Sequence, residues 1–170
     1  MKKTNHLFQT VFSYFAHFLL LICFFIYSGP AFAKRPPEIR NQEDLNLSQD
    51  MHAQDLKGLE FVKFDLKGFN FSESNLNGTV FNNSNLNKSD FHGANMQDAL
   101  AYASNFNEAN LSEVNLTNAL LMESTFENAN IDGADFTDAV ISRIQQKQLC
   151  SIAKGVNTSS GVDTRYSLGC

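Results

Sequence analysis

The stretch that decides the architecture is SNFNE-ANLSE-VNLTN-ALLME-STFEN-ANIDG-ADF, residues 104–136, broken here every five residues. In each group the third residue is large and apolar: Phe106, Leu111, Leu116, Leu121, Phe126, Ile131, Phe136. The first is small in all but Val114, and the second is mostly Asn or Asp. The same register extends back through Met96, Phe91, Leu86, Phe81, Leu76, Phe71, Leu66 and Phe61 to Leu56, and forward to Ile141. Ala101 is the one weak member of this series. Neither a 3.6 nor a 2.0 period produces such a pattern. One large and one small buried position every five residues describe one side of a square coil. Four sides make a turn of 20 residues, and each coil buries its apolar edge only against its neighbours. The expected fold is an all-β solenoid, a right-handed quadrilateral β-helix with short helical caps. The hand follows from the usual preference of parallel crossovers. At the ordinary strand spacing the coils make a rod roughly 20 Å tall.

Outside the repeat, the chain opens with Lys2 and Lys3. An apolar run follows from Val11 to Tyr27, interrupted only by Ser13 and His17, and then Gly29-Pro30 and Ala31-Phe32-Ala33. A basic start, an apolar centre and a small-x-small site describe a signal peptide, residues 1–33, cleaved after Ala33. The alternative is an uncleaved anchor, for which the apolar run is slightly short. Ile22 before Cys23 is not the small residue that lipid attachment needs. The membrane is therefore met only transiently, through the signal peptide.

The whole chain of 170 residues carries a net charge of -5. Removing the leader takes two lysines and no acids, which leaves 11 basic and 18 acidic residues. An acidic chain is not a general nucleic-acid binder. Cys150 and Cys170 survive cleavage, and two cysteines in an exported chain point to one disulfide. By the chain-entropy argument it stabilises the C-terminal loop by roughly 3 kcal/mol.

The motifs Ala94-Asn95-Met96, Ala109-Asn110-Leu111, Ala129-Asn130-Ile131 and Ala134-Asp135-Phe136 resemble the pentapeptide-repeat family, whose unit is Ala-(Asp/Asn)-Leu-x-x. The tail adds to the resemblance with Gln148-Leu149-Cys150, Gly155, Asn157-Thr158, Gly161 to Arg165 and Gly169-Cys170. It is similar to the C-terminal cap of cyanobacterial and chloroplast members of the thylakoid lumen, in which the two cysteines are paired. The resemblance implies export to the lumen or periplasm. It implies little about function, since members range from DNA-mimicking topoisomerase protectors to lumenal proteins of unassigned role. The export signal argues against the DNA-mimic role here.

The expected organisation is a linker and N-terminal cap over 34–53, the β-helix over 54–143, and a C-terminal helix and disulfide cap over 144–170. Asn41 to Ala53 reads as a short capping helix, with Leu45, Leu47 and Met51 facing the coil. Ser142 to Ala153 reads as a second helix. Caps are expected because open coil ends expose unpaired strand edges. Leu59, Phe64 and Phe69 put bulky groups at small positions, which suggests a flared first coil.

Sorting outward positions by 20 isolates one side. Val62, Val80, Leu100, Tyr102, Leu120, Met122 and Val140 form an apolar column where the other sides carry Asn, Asp or Thr. A contiguous apolar patch calls for a partner. Three readings are open: cover by the chain's own termini, a homodimer or other protein partner, or a break near Ala101 that turns Leu100 or Tyr102 inward. No Lys or Arg lies between Lys88 and Arg143, so Glu108, Glu113, Glu123, Glu127, Asp132 and Asp138 are expected to form an acidic face. Its ordinary reading is solubility, and its sharper one is docking of a basic partner.

The residues offer no candidate acid, base or nucleophile. After the leader only His52 and His92 remain, forty residues apart, without ligand spacing. No phosphate loop, Cys-x-x-Cys pair or nucleophile elbow is present. The sequence thus describes a non-catalytic exported module with no cofactor, acting on an unidentified protein partner or on itself. The alternative is a redox-responsive or purely structural lumenal protein built on the Cys150-Cys170 bond.

Overall fold

A computed structural model describes residues 49–170. The leader, the linker and residues 41–48 of the expected capping helix lie outside these residues. Every bridge within the coil is parallel and joins residues twenty apart, from Asp50↔Asn70 to Leu120↔Val140. Four bridged columns follow. The first runs Glu60, Val80, Leu100, Leu120, Val140, and the second Asp65, Asn85, Asn105, Thr125. The third runs Asp50, Asn70, Asp90, Asn110, Asn130, and the fourth Asp55, Asn75, Asn95, Asn115, Asp135. These are the four sides of the coil.

Each side ends in a tight turn. The amide of the small corner residue donates to the carbonyl of the large inward one, as Thr79 does to Leu76 at 3.1 Å and Ala109 to Phe106 at 3.0 Å. The third residue of every such turn has positive φ, whether Gly78 at 66°, Asn118 at 59° or Glu108 at 59°. That geometry is a type II turn, which favours Gly or Asn at this place. Lys63, Lys88, Glu73 and Glu113 at such positions show that the coil imposes the conformation against local preference.

The inward residues stack. Phe61 lies 5.3 Å above Phe81 at 12°, Phe71 5.1 Å from Phe91, and Phe106 5.3 Å from Phe126 at 5°. Rings of opposite sides meet edge to face across the core, as in Phe81 with Phe91 at 6.0 Å. Both arrangements are the favoured ones for aromatic quadrupoles. Ala101 is fully buried at its inward position while Tyr102 stays 43% exposed, so the coil continues through this point without a break.

Two side-chain ladders tie the coils. The Asn or Asp oxygen at each bridge position holds the amide two residues on, as Asn105 does for Asn107 at 2.9 Å. Its amide nitrogen donates to the coil before: Asn75 to Asp55 and Asn85 to Asp65 at 2.8 Å, and Asn110 to Asp90 at 2.9 Å. The donation runs one way. A first-coil residue therefore needs only to accept, and Asp50, Asp55 and Asp65 stand there. At the corners, buried Ser74, Ser89 and Ser104 each donate to a carbonyl of the turn below, at 2.6, 2.7 and 2.6 Å. Ser84 and Ser124 do the same to Phe61 and Ala101. These serines are small enough for the corner and satisfy a buried acceptor as well.

The start of the coil corrects one expectation. Residues 50–53 are not helical, because Asp50 bridges Asn70 and Met51 occupies the inward position, 9% exposed. The amide of Met51 donates to Asn70 at 2.7 Å, so the ladder begins before residue 54. Phe64 and Phe69 fit their corners buried, with Phe64 edge-on to Phe61 at 5.8 Å. The amide of Phe64 bonds Ser84 Oγ at 3.0 Å in place of its own turn carbonyl.

At the other end helix α1 spans Arg143–Ile152. Ser142 caps it, accepting from the Gln145 amide while the Gln145 side chain accepts from the Ser142 amide, a capping box. Gln145 Nε2 donates to the Leu121 and Ser124 carbonyls at 2.9 and 2.6 Å, and Leu149 is buried over the coil end. A short helix α2, Thr164–Ser167, follows. Replacing Phe81, which touches three other rings, with Ala should cost about 3–5 kcal/mol. Urea unfolding followed by circular dichroism measures it; a loss under 1 kcal/mol would show the ring column is dispensable.

Candidate functional site

The apolar column lies on the first side, as the bridge series places it. Val62, Tyr102, Leu120, Met122 and Val140 are 39–45% exposed, while Val80 and Leu100 are half-buried. Here the bridge residues cannot hold the turn amide as Asn does elsewhere. A neighbouring coil substitutes at one point, where Asn82 Oδ1 accepts the Tyr102 amide at 2.9 Å. The Glu123 carboxylate beside the Tyr102 phenol, as hydrogen-bond acceptor first, then with loss of solvent and its own negative charge, holds the phenol's pKa above the ordinary 10. Tyr102 thus shows one ring face on the column and turns its polar tip to the side.

The tail does not cover this side among the described residues. It docks at the corner between the third and fourth sides. Asn157 Nδ2 donates to the carbonyls of Glu113 at 3.1 Å and Gly133 at 2.8 Å. Glu113 Oε2 accepts from the amide and hydroxyl of Thr158 at 2.7 and 2.9 Å. The Gly133 amide donates to Lys154 at 3.0 Å. A Cβ on Gly155, whose φ is +85°, would lie 2.7 Å from the Gly133 backbone nitrogen, so only glycine allows this approach.

Cys150 and Cys170 are joined, with Cα atoms 5.6 Å apart, and the bond fastens the chain end to α1. Arg165 Nη1 donates to the Cys150 carbonyl at 2.8 Å, and Gln146 Nε2 to Leu168 at 2.6 Å.

The acidic residues do not make one face. A 20-residue coil sends residues five apart to successive sides, so Glu108 and Glu127 belong to the second side, Glu113 and Asp132 to the third, Glu123 to the first and Asp138 to the fourth. Several are engaged: Glu108 with Lys88 at 3.4 Å, Asp132 with Lys154 at 3.3 Å, Glu113 with the tail. Exposed pairs of this kind contribute little energy and mainly fix local geometry.

Asp135 escaped the sequence reading as more than a repeat residue. It ends the fourth column, 2% exposed, where an Asn would donate downward. It accepts from the Thr137 amide at 2.9 Å and hydroxyl at 2.6 Å, and Ser160 of the tail adds to the stabilisation of its charged form. Burial pushes its pKa up, but these hydrogen bonds outweigh it, and the net shift is below the ordinary 3.8.

The two described histidines are engaged in contacts between coils. His52 Nδ1 meets Ser72 Oγ at 3.0 Å and His92 Nδ1 meets Ser112 Oγ at 2.9 Å. Among the described residues no cluster of three or more His, Cys, Asp or Glu is placed to hold a metal ion. No described helix is long and apolar enough to cross a membrane.

A family model for pentapeptide repeats matches residues 55–100 and 104–143 in eight copies, half of the chain. The coil thus defines the class, a right-handed β-helical solenoid that carries no catalytic signature. The chain belongs to the pentapeptide repeat family. A pentapeptide repeat protein of the Arabidopsis thaliana thylakoid lumen is 31% identical over 74% of this chain and 95% of its own, with a TM-score of 0.35. HetL, involved in heterocyst differentiation regulation in the cyanobacterium Nostoc, is 25% identical over 54% of this chain, with a TM-score of 0.38. QnrB1, a plasmid-mediated fluoroquinolone resistance protein, is 28% identical over 55%, also at 0.38. The chain spans only 41% and 58% of these last two. No curated protein matches the sequence significantly.

Asp135 gives the site a pH dependence. With the folded pKa below the unfolded one, its stabilising contribution is complete above about pH 4 and is lost as pH falls through the lower folded value. Tail amides 154–168 should therefore lose hydrogen-exchange protection in acid. Asp135→Asn, which keeps an acceptor for Thr137, should flatten that loss; an unchanged acid profile would remove Asp135 from this role.

Proposed function

We propose that this protein is an exported, non-catalytic binding module that holds a protein partner against the first side of its coil. The carrying observation is the exposure of Tyr102, Leu120, Met122 and Val140 in one column on a rigid wall. A family unit filled with Asn or Asp at these places would support the turn better, so the apolar residues cost local hydrogen bonds. Export to the thylakoid lumen or periplasm is supported by the leader pattern and by likeness to the lumenal Arabidopsis protein. The partner is a protein or a second copy of this chain, not nucleic acid, because the surface carries excess acid.

The test is cross-linked capture from the exported fraction of the source cell, comparing wild type with the double variant Leu120→Glu/Met122→Glu. Both side chains are exposed, so the fold should survive, which unchanged thermal unfolding checks. Captured partners or self-adducts should fall by roughly tenfold or more, the scale of an interface anchor. Equal capture by both proteins sinks the reading.

A second reading rests on the disulfide. Cys170 is exposed and its bond is the covalent fastening of the docked tail. Reduction should free residues 154–170 and lower stability by roughly 3 kcal/mol. Hydrogen exchange on the reduced protein decides it. Unchanged protection of the Asn157 and Thr164 amides would leave the bond a structural staple.

A further inference from the structure

The coil ends unevenly. On the second side each coil presents two amides, two residues apart, to the next. Leu66 and Gly68 donate to Asn85 and Asn87 at 2.8 and 2.9 Å. Leu86 and Lys88 donate to Asn105 and Asn107 at 2.8 and 3.0 Å, and Phe106 and Glu108 to Thr125 and Glu127 at 2.9 and 2.7 Å. Phe126 and Asn128 come next in this series. Among the described residues no acceptor meets their amides, because the chain has already turned into α1. The other two long edges are partly closed: the Gly133 amide by Lys154 on the third side, the Phe136 amide by Ser167 Oγ on the fourth.

Beside this open edge lies a groove of about 370 Å3, between the last coil and α1. Phe126, Leu149 and Ile152 give it apolar walls, with Glu127, Asn128 and Gln148 at the rim. Phe126 has Phe106 stacked beneath it at 5.3 Å, and its own inward position is only half-buried. An edge of unpaired amides beside an apolar pocket is what strand addition uses. The volume falls within the range of small binding sites, about 300–1,000 Å3.

We propose that this edge binds an extended peptide segment of a partner protein as the missing next side of the coil. The ladder states what the segment must bring. Two carbonyls two residues apart accept from Phe126 and Asn128. The residue between them points inward, and a large apolar or aromatic side chain there continues the Phe106–Phe126 stack. The next residue stands above Glu127, whose carboxylate has no ion pair among the described residues, so a lysine or arginine fits it. Lys88 and Glu108, one place further along the turn, pair at 3.4 Å, so opposite charges on stacked coils of this side do meet. The recognised element is an apolar residue followed directly by a basic one, in extended backbone. The chain's own residues 34–48, KRPPEIRNQEDLNLS, hold one such pair, Ile39-Arg40, with Pro36-Pro37 just before it; an aromatic residue at the inward place fits the Phe106–Phe126 stack better than Ile39 does. The site is independent of the apolar first side.

The probe is the synthetic peptide acetyl-Ser-Asn-Phe-Lys-Gly-Ala-amide, titrated into 15N-labelled protein, with a partner peptide carrying Glu in place of Lys. The lysine peptide should shift the Phe126, Asn128 and Ile152 amides saturably and slow exchange of the first two by several-fold. Glu127→Lys should weaken the lysine peptide by roughly fivefold and favour the glutamate peptide, the range of one exposed charge pair. Four results overturn the proposal. The Phe126 and Asn128 amides do not move at millimolar peptide. The two peptides bind alike to both proteins. The shifts fall instead on Leu100 and Leu120. Or the same amides shift with protein concentration alone, which assigns the edge to a second copy.

Discussion

The structure depends on one register: a backbone amide that leaves a coil finds a carbonyl nineteen residues on or twenty-one back, which sets bridged residues twenty apart. A lone five-residue side cannot satisfy its own polar groups, since its turn makes a single internal bond. The remaining amides pair only if the next coil repeats the same path. That requirement keeps residues such as Lys63, Glu73 and Glu113 in the left-handed region, where their own preference would not put them. It also explains why inward positions repeat by stacking. Once the backbone rises by one strand spacing per coil, rings twenty apart must lie about 5 Å apart.

Where the register stops, side chains replace backbone. The Asn ladder donates toward the start of the chain, so an acceptor-only Asp completes it at the bottom in three columns. At the top of the fourth column Asp135 accepts from the amide and hydroxyl of Thr137 instead. Gln145 reaches two carbonyls of the last coil from the first turn of α1. The disulfide then holds the far end of the tail to the same helix. The C-terminal cap is thus a set of substitutes for the coil that does not follow, fitted to three sides and leaving the second open.

The proposed function rests on departures from the repeat. The first side gives up its Asx oxygens at Val80, Leu100, Leu120 and Val140, and the family pattern alone gives no reason to do so. A rigid wall with a fixed 20-residue spacing suits recognition, because a partner meets side chains already ordered and little entropy is lost there. The acid residues illustrate the opposite case. They cluster along the chain but scatter around the rod, and several are occupied holding neighbours or the tail.

The repeat, its register and its four sides were legible in the sequence, because a period of five leaves one residue in five apolar and the arithmetic of twenty does the rest. The apolar column was legible for the same reason. Four things were decided only by the tertiary structure. Met51 and Asp50 belong to the coil, because a free ladder edge at Asn70 captures them before a helix can form. The corner serines serve the turn below, a contact between residues twenty-three apart. The tail settles on the third and fourth sides, where Gly133 and Gly155 let two backbones touch. And the open edge at Phe126 and Asn128 exists only because the cap is narrower than the coil it closes. Local periodicity dictates what one coil looks like; where coils begin, end and are covered depends on contacts between residues far apart in the chain.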